Sequence, residues 1–216
     1  RVKERDKLGD LYIKMVSVTG FLVMPIFMGL AAVADPFVVV AFGDKFAPSA
    51  TFMTISAFSI FPSVIAWFLP NLLISNAKTK DAFKLTLLNL ITNIGVAGST
   101  IWFGIEVMLT CLVVGAFLGL PFRLWLVNKH ISLNFSLLFK SLIPPVVASL
   151  LMFFSLIELK DYLKLASENN VVVLVALVVS GGFLYPLFIY GIFFKAGKTY
   201  FRELKSMLLK GKPKKV

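Results

Sequence analysis

One cysteine, one histidine and only 11 acidic residues are what this 216-residue chain offers of the side chains that most often carry chemistry. A lone Cys111 excludes a disulfide framework and any cysteine-based metal site. A lone His130, in a loop beside Lys129, excludes acyltransferases that rely on a buried histidine and metalloproteases that need a His-Glu ligand set. The chain has no Gly-rich phosphate loop, no Ser-His-Asp set and no carboxylate pair at a useful spacing, so no catalytic residue, metal or cofactor is expected. Charge is scarce as well. Charged residues are 15% of the chain, against about 25% in soluble domains.

Apolar residues fill the space, at 58% of the chain. They fall into six stretches, 15–35, 51–74, 82–102, 107–127, 141–159 and 171–194. Each approaches the roughly 20 residues that an α-helix needs to cross a hydrocarbon core. A helix satisfies its own backbone hydrogen bonds in lipid, whereas six such stretches in water would aggregate. The fold class expected is all-α, a polytopic membrane bundle of six transmembrane helices between a lead-in at 1–14 and a basic tail at 195–216. Pro36 is expected to break the apolar run after Asp35, leaving 37–42 along the outer surface, and Pro62 and Pro70 interrupt the second stretch. The opening run 1–7 is charged and has no signal-peptide pattern, so the chain is expected to start in a loop of a longer protein.

The net charge of +11 would suit a nucleic-acid binder, but the basic residues sit in loops beside the apolar stretches. No nucleic-acid partner is expected; the partner is the lipid bilayer. With alternating spans, only Lys45, Lys160 and Lys164 of the 22 Lys and Arg fall on one side. The positive-inside rule puts the other side in the cytoplasm. Trp102, Trp125, Tyr12 and Tyr162 lie near span ends, as interfacial aromatics do. Asp35 and Glu158 fall at the outer ends, facing water or headgroups.

Polar residues at membrane depth need a partner or a cavity. In 82–102, Thr86, Asn89, Asn93 and Thr100 share one helical face. Asn93 lies roughly 16 Å from the cytoplasmic end. That face reads either as the wall of a substrate cavity or as interhelical hydrogen-bonding glue. Arg123 is the one arginine within a span. It reads as a snorkelling anchor or as a cation for a phosphate. Asn71 beside Pro70 marks a bend or a hinge. Gly115 with Gly119, and Gly95 with Ser99, are small-residue pairs that would let helices approach closely. The candidate substrate-binding residues are therefore Thr86, Asn89, Asn93, Arg123 and Asn71.

The residues Met24-Pro25-Ile26-Phe27-Met28-Gly29-Leu30, Ala34-Asp35-Pro36-Phe37-Val38 and Phe42-Gly43-Asp44-Lys45-Phe46-Ala47-Pro48 resemble a motif of the Wzx-like O-antigen and capsule flippases. These belong to the multidrug/oligosaccharidyl-lipid/polysaccharide exporter superfamily. Leu73-Ile74-Ser75-Asn76-Ala77-Lys78 resembles the family's next cytoplasmic turn, where Gly is commoner than Asn76 or Ala77. The resemblance covers roughly 1–130 and fades beyond. It implies one lobe of a two-lobe transporter, the C-terminal one, with a missing N-terminal lobe as its partner. The implied substrate is a polyprenyl-pyrophosphate-linked oligosaccharide, moved across the cell membrane by alternating access for polysaccharide or lipopolysaccharide synthesis. No family site maps onto this chain residue by residue.

Three other readings compete. An ion-coupled drug exporter would favour an acidic residue deep in a span, and none is seen. A membrane polymerase would want a longer outer loop than 160–170. A non-enzymatic membrane subunit remains open. The topology is checked by cysteine labelling: positions 45 and 167 react from outside, and 78, 129 and 212 from inside. Labelling of position 78 from outside breaks the six-helix scheme.

Overall fold

Among the described residues the chain forms helices and turns and no strand. The computed structural model describes residues 2–129, 131, 133–167, 169–194, 197–200 and 202, with side chains from Leu8 onward. His130, the side chains of 1–7 and most of the basic tail lie outside the described residues. The order is α1 (Val2–Ala32), α2 (Ala34–Phe42), α3 (Ser49–Ala57), α4 (Ile60–Ala66), α5 (Leu69–Ser75), α6 (Thr79–Thr100), α7 (Ile105–Asn128), α8 (Phe135–Ala166) and α9 (Asn170–Ile192). Five segments are long and apolar enough to cross a membrane: Leu8–Ala32, Thr79–Phe103, Ile105–Asn128, Phe135–Ala166 and Asn170–Ile192. The pair Ser49–Ala57 and Ile60–Ser75, bent by 43°, brings the count to six if it crosses as one broken span. The protein is thus an all-α polytopic membrane bundle.

The elements depart from the sequence reading in instructive places. The first break falls at Val33, between α1 and α2, and not at Pro36. Pro36 sits in the first turn of α2, where its missing N–H costs no helical bond. Gly43 and Gly104 close the turns after α2 and before α7 with φ of +88° and +102°. That conformation suits glycine alone. Asn134 and Asn169 open α8 and α9 by accepting from the N–H of Leu137 and Val171. α8 extends well beyond 141–159 at both ends.

α1, α8 and α9 form the tight half. Val16, Met28, Leu138, Ala148, Leu177 and Ile189 are fully buried there. A Cβ on Gly20 would meet Leu142 at 3.2 Å, and one on Gly181 would meet Leu156 at 3.3 Å. These glycines, and not the pairs read from the sequence, set the closest helix approaches. Gly95 has nothing within 4 Å, and the nearest neighbour of Gly115 is Val96 at 4.0 Å.

Prolines inside spans free the carbonyl four residues earlier, and hydrocarbon offers no water to take it. Pro25 frees the carbonyl of Phe21, and the Tyr185 hydroxyl of α9 donates to it at 2.7 Å. Pro145 frees the carbonyl of Ser141, and the Tyr200 hydroxyl donates to that one. Tyr12 plays the same part. It is 1% exposed and donates at 2.7 Å to Ile65 O, in the last turn of α4 where carbonyls lack helical donors. Tyr12 is therefore an interhelical tie and not an interfacial aromatic, whereas Trp102, Trp125 and Tyr162 are exposed. At the opposite end, Asp35 does not face water alone: Lys160 Nζ lies 2.6 Å from it and ties α2 to α8.

Tyr185→Phe should lower stability by about 0.6–2 kcal/mol, the range for a hydrogen bond between membrane helices. With Pro25→Ala the Phe21 carbonyl regains a backbone donor, so the same change should cost less. Equal losses in both backgrounds, measured by denaturant titration in detergent, would refute the tie.

A polar groove between the broken span and two long helices

The half built from α3, α4, α6 and α7 packs loosely and leaves a groove. The break in the second span makes it. Pro62 cannot donate to the Phe58 carbonyl, and helical bonding lapses into three-residue turns at Phe58 and Ser59. No described group donates to the Phe58 carbonyl. Ser59 bends its hydroxyl back to Ser56 O at 2.7 Å. Ser56, Ser59 and Ser63 then line one wall, spaced three and four residues apart so that they share a face.

Asn89 and Asn93 of α6 and Arg123 of α7 line the remainder, with Ile94, Ala97, Leu109, Leu112, Val113 and Ala116 between them. The groove encloses about 540 Å³, within the range of small-molecule sites. Its lining carries one cation and no carboxylate. The Asn89 and Asn93 amides form no hydrogen bond with any described residue, so among those residues they do not act as interhelical glue.

Three of the five residues singled out in the sequence are thus brought together. Thr86 is not: it lies a turn nearer the start of α6, exposed, and donates to Ala82 O at 3.1 Å. Asn71 is exposed on α5, away from the groove. Thr100 donates to Val96 O at 2.6 Å. The three serines were missed, although their spacing on a proline-broken span was a legible signal. A second cleft of about 400 Å³ between α1, α8 and α9 is lined almost wholly by apolar groups, among them Pro25, Gly29, Met152 and Gly182.

Because Asn93 is exposed to the groove and unbonded, Asn93→Leu should leave thermal stability in detergent within about 0.5 kcal/mol of the parent. A loss of about 1 kcal/mol or more would return Asn93 to the role of interhelical glue.

Residues 1–51 match a family model described as polysaccharide biosynthesis protein. No curated protein and no solved structure gives a significant match. The matched segment comprises α1, α2 and the turn into α3, and ends before Ser56, the first residue of the groove. Over that segment, the chain is similar to polysaccharide biosynthesis proteins.

Proposed function

We propose that the protein is a transporter that moves a lipid-linked oligosaccharide across the cytoplasmic membrane for polysaccharide biosynthesis. The observation that carries this reading is the composition of the groove. Three hydroxyls, two amides and one arginine converge on a groove whose remaining lining is apolar. Hydroxyls and amides offer both donors and acceptors, as a sugar requires. The arginine supplies positive charge for a phosphate. A lining with no acid suits an anionic, hydroxyl-rich ligand better than a cationic drug, which disfavours the drug-exporter alternative. Nor does the lining hold an acid–base pair for a covalent step, so the role proposed is transport and not catalysis.

In this reading the Lys-rich end faces the cytoplasm, and the bundle is one lobe that works against a second. The bent span supplies the movable wall, since broken helices lining cavities are how transporters tolerate irregular backbone at membrane depth. The family match at 1–51 supports polysaccharide biosynthesis as the setting.

Filling the groove tests the reading. Ala116→Phe, measured as surface glycan per folded molecule in the membrane, should lower export at least tenfold while the protein stays inserted. Export at the parental rate would overturn it.

A further inference from the structure

We infer that the basic C-terminal segment binds the anionic surface of the inner leaflet, and that Tyr200 seats the start of this segment at the membrane. The binding does not depend on what the groove carries; the choice of leaflet follows from the orientation proposed above.

The seat is built by the bundle. α9 ends at Ile192, and the Gly197 N–H donates to Phe193 O at 2.9 Å. Gly197 is buried against α9. A Cβ there would lie 2.9 Å from Ile189 and 3.2 Å from Tyr190, so any other residue would displace Ile189. Residues 197–200 are helical again. Tyr200 is 5% exposed and stacks on Phe21 of α1, with ring centroids 5.2 Å apart. Its hydroxyl donates to the Ser141 carbonyl of α8, which Pro145 leaves without a helical donor. A tail that lifted away would strand that carbonyl in hydrocarbon. Ser141 is only about 9 Å along α8 from Phe135, so Tyr200 sits just inside the Lys-rich end.

Charge names the partner. Lys198 and Arg202 flank Tyr200 and are exposed, and Lys140 is exposed beside Ser141. Over 195–216, eight Lys or Arg stand against one acid, Glu203. The described carboxylates at this end are Asp10 and Asp81, and Asp81 lies 3.8 Å from Lys84. Among the described residues the bundle thus offers the basic run no acidic surface. Anionic headgroups offer one. Each cation held near them adds to binding, and the attraction fades within a Debye length. The seat at Tyr200 keeps the run within that range, which favours lipid over any dissolved polyanion. The spacing agrees. On a helix, Tyr200, Leu204 and Leu208 would share one face, and Lys198, Arg202 and Lys205 another. That division suits a segment lying in the interface.

Hydrogen–deuterium exchange over 197–209 tests this, with the full chain in nanodiscs. Phosphatidylcholine alone is compared with phosphatidylcholine containing phosphatidylglycerol. In the parent, the anionic lipid should slow exchange by roughly tenfold or more at low salt, and high salt should remove the effect. With Lys210, Lys212, Lys214 and Lys215 all changed to Gln, exchange should be the same in both lipids. These positions lie outside the seat, so the bundle should fold as before. Tyr200→Ala should exchange faster than the parent even in neutral nanodiscs, because the seat and not the charge is lost. A parent indifferent to phosphatidylglycerol would overturn the proposal. So would protection that survives high salt or the four Lys→Gln changes. Parental exchange in Tyr200→Ala would refute the seat. Slowing by a double-stranded oligonucleotide in neutral nanodiscs that matches the phosphatidylglycerol effect would make nucleic acid the partner and overturn the lipid assignment.

Discussion

A backbone carbonyl freed at membrane depth needs a donor, and this bundle is shaped by which of its freed carbonyls find one. Proline in a membrane span removes one N–H and strands one acceptor. On one side of the molecule tyrosines fill two of these gaps and a frayed helix end. Tyr185 reaches the carbonyl freed by Pro25, Tyr200 the one freed by Pro145, and Tyr12 the frayed last turn of α4. Each of these bonds crosses between elements far apart in sequence. The first two, together with close approaches at Gly20 and Gly181, lock α1, α8 and α9 into a dense unit, and Tyr12 ties α1 to α4.

No described tyrosine answers the carbonyl freed by Pro62. Pro62 strands the Phe58 carbonyl beside Ser59, and the span bends by 43°. Serine hydroxyls, asparagine amides and the arginine fork gather where the helix has come apart. The same rule thus yields a rigid half and an open half. The rigid half contains most of the family-matched segment, and the open half holds the polar groove.

Much of this was legible in the sequence. The helical class and the five to six long apolar helices follow from apolar length, because lipid leaves the backbone few alternatives. Asn89, Asn93 and Arg123 stood out as polar groups at depth, and the structure brings them to one groove. What escaped was whatever depends on tertiary partners. Tyr12 has the position of an interfacial aromatic, yet it is buried because a carbonyl of α4 needs it. Thr86 shares the face of Asn93 but lies a turn beyond the groove, since periodicity gives a direction and not an extent. Gly119 reads as a packing glycine, but its neighbour is the Arg123 side chain of its own helix. Ser56, Ser59 and Ser63 were overlooked because single serines in a span are unremarkable until a break gathers them.

The central claim is that the groove is a wet path occupied by the substrate. Its most direct measurement is thiol labelling of Ser59→Cys and Asn93→Cys, each made with Cys111→Ser, by a small membrane-impermeant reagent. The account requires both positions to label at rates near that of an aqueous loop residue, and the lipid-linked glycan to slow them at least several-fold. Absence of labelling at either position, or labelling that saturating substrate leaves untouched, would contradict it.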